Sequence, residues 1–175
     1  MVIGIFSKFH QVLLFDKKIG WCYHFFMKKY YMNQALSLAK RAMRKGEVPI
    51  GAVIVKNGKI IGKGYNKKEH KHMTTRHAEI EAIEKASRKI KDWRLNDCEM
   101  YVTLEPCCMC AGAILNSRLK KVYIGAMEKN FGCCGSAYNL LQAEKFTTHA
   151  DVETGILESE CVKLLQDFFK ERRKK

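Results

Sequence analysis

Proline is scarce in this chain, with two in 175 residues. Glycine adds only 12, and no Ser/Gly-rich stretch, internal repeat or low-complexity tract interrupts the sequence. That leaves no candidate for a proline-rich spacer or a flexible interdomain linker. No apolar run is long enough to span a bilayer, so the sequence offers no transmembrane helix. Acidic residues are the third shortage: 18 Asp plus Glu stand against 32 Lys plus Arg, a formal net charge of +14. That excess favours a polyanionic partner, with nucleic acid ahead of an anionic membrane surface; a basic proteome or simple solubility is the bland alternative.

What is present suits a soluble globular protein. The chain is 47% hydrophobic and 29% charged, and its length fits one domain with a real core. It contains eight cysteines. The apolar patch Val12 to Phe15 is interrupted upstream by His10 and Gln11, and no small-residue cleavage site follows. The expected compartment is therefore cytoplasmic and the thiols reduced, so clustered cysteines point to metal or redox chemistry.

The hydrophobic pattern gives an order of elements. Tyr31, Ala35, Leu38, Ala39 and Ala42 recur at helical spacing, and Gly46 supplies a stop. Ala52 to Val55 reads as a strand, Asn57-Gly58 as a hairpin turn, and Lys59 to Tyr65 as the returning strand. A helix is expected from His77 to about Ile90, with Ile80, Ile83, Ala86 and Ile90 on one side. Met100 to Leu104 and Val122 to Gly125 read as strands, with a helix from Cys107 to Ser117 between them. A last helix, Glu158 to about Arg173, is expected to turn Leu164, Leu165, Phe168 and Phe169 inward. Strands alternating with helices imply a three-layer α/β domain.

Chemistry enters with Cys107-x-x-Cys110. Glu105-Pro106 separates strand from helix, and proline fits a first helical turn because it has no N–H to leave unpaired. Both thiols then sit at a helix N-terminus, where the dipole and free amides favour thiolates. This spacing serves a metal or a redox dithiol equally well. His77 separates the two readings. Residues two apart on a regular helix point about 200° apart, from the ~100° step per residue. His77 and Glu79 therefore share a pocket only if they straddle the irregular start of their helix. Two helix N-termini, one carrying His77 and the other Cys107 and Cys110, then meet across neighbouring strand ends. Three protein ligands leave the fourth tetrahedral position of a zinc ion open, which marks a catalytic site. Zinc with two thiolates and a neutral imidazole carries no net charge and acidifies water weakly. Such a site needs a nearby carboxylate to take the proton, and Glu79 is that carboxylate.

The pattern H-x-E followed by P-C-x-x-C is an established signature of the zinc-dependent nucleobase deaminases, which this sequence resembles. The likeness is strongest to the tRNA-specific adenosine deaminase family and runs from Tyr31 to about Lys174. It is carried by "ALSLAKRA" (35–42), "EVPIGAVIV" (47–55), "GYN" (64–66), "HAEI" (77–80), "YVTLEPCCMCAGAI" (101–114), "GILESEC" (155–161) and "DFFKERR" (167–173). The resemblance implies a cytidine-deaminase-like α/β/α fold with a five-stranded mixed sheet. It implies His77, Cys107 and Cys110 as ligands of one zinc ion per chain, and Glu79 as proton shuttle. It also implies Asn66 as a contact to the bound base, against its reading as a loop-capping asparagine. The implied reaction is hydrolysis of adenosine to inosine at the wobble position of a tRNA anticodon loop. The implied partners are an anticodon stem-loop and a second copy of the chain.

Two alternatives stay open: a small-molecule deaminase acting on cytosine, guanine or a nucleoside, and a non-catalytic zinc module that binds RNA. Three stretches depart from the family pattern: 73–76, 131–136 and the first 26 residues. Residues 1–26 are expected to be a dispensable extension, with the deaminase domain over 27–175. Cys98, Cys108, Cys133 and Cys134 read as small apolar side chains. The closing run Lys170, Arg172, Arg173, Lys174 and Lys175 suits phosphate contacts.

Overall fold

Alternation and turn chemistry build the centre of the molecule as the sequence pattern requires. The computed structural model describes residues 17–173, with side chains from Tyr23 onward. The patch at Val12 to Phe15 and the end residues Lys174 and Lys175 lie outside the described residues, as do the first sixteen positions of the expected extension. The chain divides into two units, Met1–Tyr30 and Tyr31–Lys175. The second carries the sheet and the site.

In chain order the elements are helix α1 (Lys17–Met43), strands β1 (Gly51–Lys56) and β2 (Lys59–Tyr65), the short helix α2 (Lys68–Lys71) and helix α3 (Ala78–Ile90). Strand β3 (Cys98–Leu104), helix α4 (Cys108–Asn116), strand β4 (Lys121–Ala126), a 3₁₀ turn (Leu140–Gln142), strand β5 (Asp151–Thr154) and helix α5 (Glu158–Arg172) follow. Asn57 and Gly58 close the β1–β2 hairpin with φ of 49° and 72°, the left-handed pair that a tight hairpin turn needs.

The sheet is five-stranded and mixed, in the order β2-β1-β3-β4-β5. β1 runs antiparallel to both β2 and β3, whereas β3, β4 and β5 run parallel. Tyr65 at the end of β2 therefore comes to the same edge as Leu104 at the end of β3. This edge carries the site.

Helices cover both faces, giving three layers. On one face Tyr101 stacks on Tyr123 with ring centroids 4.4 Å apart, and Tyr31 of α1 lies 5.1 Å from Tyr101. Gly125, two positions past Tyr123 and so on that face, abuts Cys161 of α5. On the other face Ala78, Ala82 and Ala86 of α3 pack with Ala111, Ile114 and Leu115 of α4 over Ile54, Met100, Val102, Val122 and Ile124. This apolar layer holds the amino ends of α3 and α4 at the sheet edge.

The structure corrects several details. α1 begins at Lys17, not Tyr31. α3 is seated by its alanines: Ala78, Ala82 and Ala86 are buried, whereas Ile80, Ile83 and Ile90 are only half-buried. Small residues let the helix backbone approach β2 more closely than isoleucines could. Phe169, expected inward, is 44% exposed, and Phe168 alone of that pair is buried. Cys98, Cys133 and Cys134 are buried as expected of small apolar side chains, but Cys108 is exposed. Its place at the first position of α4 turns it outward, while Cys110 faces the core. No helix among the described residues is long and apolar enough to cross a membrane.

Candidate metal centre and active site

His77 is not the first residue of a helix but the residue before it. Its backbone is extended, with φ −81° and ψ 157°, and Ala78 begins α3. That break places His77 and Glu79 on one side, as the two-residue spacing requires. Cys107 occupies the equivalent position before α4, with φ −73° and ψ 175°. The structure thus brings two helix starts together, each presenting a side chain from its capping position.

Nδ1 of His77 lies 3.5 Å from Sγ of Cys110 and 3.7 Å from Sγ of Cys107. These three donor atoms all fall within 4.8 Å of one another, the only such group of potential metal ligands among the described residues. A tetrahedral ion with Zn–S of about 2.3 Å and Zn–N of about 2.0–2.1 Å requires N···S edges of about 3.5–3.6 Å. The donor set and its spacing fit zinc. Cys133 and Cys134 contribute nothing to this group.

Electrostatics at the site follow from burial and from thiol–imidazole contacts. A hydrogen bond from Cys110, aided by His77, pushes Cys107 down to about 4. The same Cys107 contact, together with burial, pushes Cys110 upward. His77 is raised, first by its hydrogen bond to Cys107. Cys107 is thus the more readily ionised thiol of the pair, and binding a divalent ion would require Cys110 to give up its proton as well.

Glu79 is 3% exposed, and its Oε2 has no hydrogen-bond partner. Desolvation raises its pKa above the usual carboxylate range. An unpartnered buried carboxylate oxygen is costly to maintain. Beside three potential metal ligands, it has the burial and the protonation tendency of a group that carries a proton in a reaction.

Asn66 follows directly on β2 and is 4% exposed. Its backbone N–H donates to the carbonyl of Ile50 at 3.1 Å, while its Oδ1 is buried without a partner. A loop-capping asparagine would use that oxygen. The backbone N–H of Lys67 donates to the carbonyl of Arg76 at 2.9 Å. This bond sets the flank of Asn66 against the flank of His77. All five residues singled out from the sequence therefore cluster along the sheet edge where β2 and β3 end.

Three buried carboxylates were not singled out from the sequence. Glu105, 3% exposed, accepts backbone N–H groups from Glu128 (2.9 Å), Cys134 (2.9 Å) and Ser136 (3.0 Å). It ties the loop after β4 to the residues leading into Cys107. Although burial opposes it, these hydrogen bonds hold its pKa below the usual range. Glu47 and Glu81 brace the segment on the other side of the site. Of the three, Glu105 had a sequence signal: its place between a strand and Pro-Cys-x-x-Cys.

Comparison with known proteins places this chain in a family. The MafB19-like deaminase model matches residues 26–173. The chain is 49% identical to the tRNA-specific adenosine deaminase of Bacillus subtilis over 145 residues, covering 83% of this chain and 90% of the relative. A solved structure from a study of A-to-I editing by tRNA:A34 deaminases at the wobble position of transfer RNA superposes with a TM-score of 0.75 at 37% identity, covering 78% of this chain and 99% of that one. Guanine deaminase from Bacillus subtilis is similar over a shorter span, with a TM-score of 0.54, 40% identity, and coverage of 56% and 63%. Fold and sequence identity over most of both chains agree, and the chain belongs to the tRNA-specific adenosine deaminase family.

Proposed function

We propose that this protein hydrolyses adenosine to inosine at the wobble position of a tRNA anticodon loop, with one zinc ion per chain held by His77, Cys107 and Cys110. The observation that carries the reading is the juxtaposition of that donor trio with the buried carboxylate of Glu79, whose Oε2 has no partner. Zinc bound there supplies Lewis-acid activation of a water molecule. Glu79 takes one proton from the attacking water and delivers it to N1 of the adenine, then takes the proton of the new C6 hydroxyl and delivers it to the departing amine. Water adds at C6, the C6–N bond breaks, ammonia leaves and inosine remains in the RNA. Asn66 orients the base by offering an amide that both donates and accepts. An unpaired loop nucleotide suits the site because flipping it out costs least there.

The reading includes a homodimer, as the family resemblance implies, a cytoplasmic location, and residues 1–26 as a dispensable extension. Identity to the relative in Bacillus subtilis supports RNA as substrate. The net charge of +14 supports it too. Likeness to guanine deaminase favours a second reading, a small-molecule deaminase with the same chemistry.

One assay separates them. Purified protein is incubated with an anticodon stem-loop carrying adenosine at the wobble position, and in parallel with free adenosine and guanine, followed by nucleoside analysis. Inosine only in the stem-loop supports the proposal. Turnover of a free base or nucleoside without stem-loop turnover would replace it by the second reading.

A further inference from the structure

The twelve residues from Asn66 to His77 join the proposed base contact to a proposed metal ligand, and their middle is not held by apolar packing. α2 has no buried residue, and Lys71 to Thr75 are exposed. Carboxylates hold the segment instead. Glu47, fully buried, accepts the backbone N–H of His70 at 2.7 Å and of Glu69 at 3.2 Å.

Glu81 holds the two ends. It stands one turn into α3, where its N–H donates to the carbonyl of His77 at 3.1 Å, and it is 6% exposed. Its Oε2 accepts from Nζ of Lys67, and Nζ of Lys85 lies 3.7 Å away. Its Oε1 accepts from the guanidinium of Arg76 at 3.3 Å. One carboxylate thus grips the residue after Asn66 and the residue before His77. Arg76 is further committed to Glu84 at 3.1 and 3.2 Å, so its charge is matched within the fold rather than offered to a phosphate. Loss of charge on Glu81 would leave Lys67 without its partner in a largely buried place, which favours rearrangement.

We propose that Glu81 is a positioning residue for substrate: by clasping Lys67 and Arg76 it fixes the distance between Asn66 and His77, and so the wall against which the base lies. This rests on Asn66 being the base contact. The pairing is a feature of this chain's own residues at positions 67, 76 and 81, and it gives Arg76 its role.

The test is Glu81→Gln, which keeps the volume and removes the charge. A displaced wall weakens binding more than chemistry. KM for the wobble-adenosine stem-loop should rise about tenfold while kcat stays within about twofold, as expected when ground state and transition state are bound equally less well. Zinc content should be unchanged. The dissociation constant for a product stem-loop carrying inosine should rise in parallel, a readout independent of turnover. In an Asn66→Ala background Glu81→Gln should add less than about twofold, because the two act through one contact. Should Glu81→Gln fold poorly, Lys67→Met releases one arm of the clasp and should raise KM and the dissociation constant in the same direction. A lower melting temperature with unchanged KM and dissociation constant would overturn the proposal in favour of a purely structural ion pair. Full additivity with Asn66→Ala would overturn the route through Asn66. An Asn66→Ala variant that alone leaves KM unchanged would instead refute the base-contact reading, and the inference with it.

Discussion

A β-carbon on Gly64 would lie 1.9 Å from the carbonyl oxygen of Ala78 and 2.7 Å from the backbone nitrogen of Ala82. Strand β2 and helix α3 are that close because neither residue at the contact has bulk, and the neighbour is backbone that cannot swing aside. His77 is the residue just before Ala78, so the seat of the helix is also the seat of a proposed metal ligand. Gly64→Ala should force α3 off the sheet and cost at least about 3 kcal/mol, the upper range for overpacking. Denaturant titration measures this, and zinc affinity should fall with it. Wild-type stability and zinc affinity in the variant would mean that the contact is looser than the backbone positions imply.

Metal binding and proton transfer should separate cleanly by mutation. Cys107→Ser and Cys110→Ser should each lose the one zinc per chain, read by metal analysis after dialysis. Glu79→Ala should keep zinc and fold while losing turnover, since Glu79 is not among the three donors. Its unfolding midpoint should be equal to wild type or higher, because the substitution removes a buried, unpartnered carboxylate oxygen. Zinc lost along with activity in Glu79→Ala would make it a ligand instead.

The gathering of His77, Glu79, Cys107 and Cys110 at one place was legible in the sequence because its signal is local: a chemical type at a fixed spacing beside a helix start. Even the non-helical backbone at His77 followed from the two-residue separation, since no regular helix puts positions 77 and 79 in one pocket. β5 was not legible. Asp151–Thr154 is a four-residue strand with exposed ends and half-buried middle positions, so it lacks the apolar alternation that marks a strand. The sheet's fifth strand came only from family resemblance. Glu47 and Glu81 were not legible either, because a buried glutamate looks like any surface glutamate until its long-range partners are known; Glu105 alone had a local signal, its place between a strand and Pro-Cys-x-x-Cys. The alanines of α3 misled in the opposite direction: the isoleucines carry the sequence pattern, but helix–sheet closeness selects the small residues for the interface.

Acid should destabilise the protein through two of those glutamates. Glu81 and Glu105 both have pKa values held below the ordinary range: burial opposes this in each, but Lys67 outweighs it for the first, and the Ser136 side chain with backbone N–H groups does so for the second. A depressed folded-state pKa adds stability that is present above the unfolded value, about 4.3 for glutamate, and lost as pH falls through the folded value. Melting temperature should therefore fall steeply below about pH 4.3. Glu105→Gln should start less stable at neutral pH and show a shallower fall. Glu79 acts in the opposite sense, because its raised pKa makes the ionised form a cost to the fold, so Glu79→Gln should not flatten the acid limb. An unchanged acid slope in Glu105→Gln would remove that glutamate from the account.

The basic end of α5 offers the sharpest test of RNA as substrate, and the structure changes which residues should be replaced. Arg172 is engaged within the fold: its guanidinium donates to the carbonyl oxygen of Gly46 and lies 5.2 Å from the ring centroid of Phe168. Replacing it would confound folding with binding. Lys170 and Arg173 are exposed, and the sequence continues with Lys174 and Lys175. A variant with alanine at 173, 174 and 175 should keep its melting temperature and zinc content. If these side chains meet phosphates, KM for the stem-loop should rise and its dependence on salt should weaken, by about 0.7 in the log–log slope for each single-strand phosphate no longer neutralised. An uncharged nucleoside has no phosphates to neutralise, so its turnover should be nearly insensitive to salt. A solvated helix end that does not touch RNA predicts the same KM and the same slope as the unaltered protein. Stem-loop turnover that ignores salt altogether, equalled by turnover of free adenosine, would transfer the assignment to the small-molecule reading.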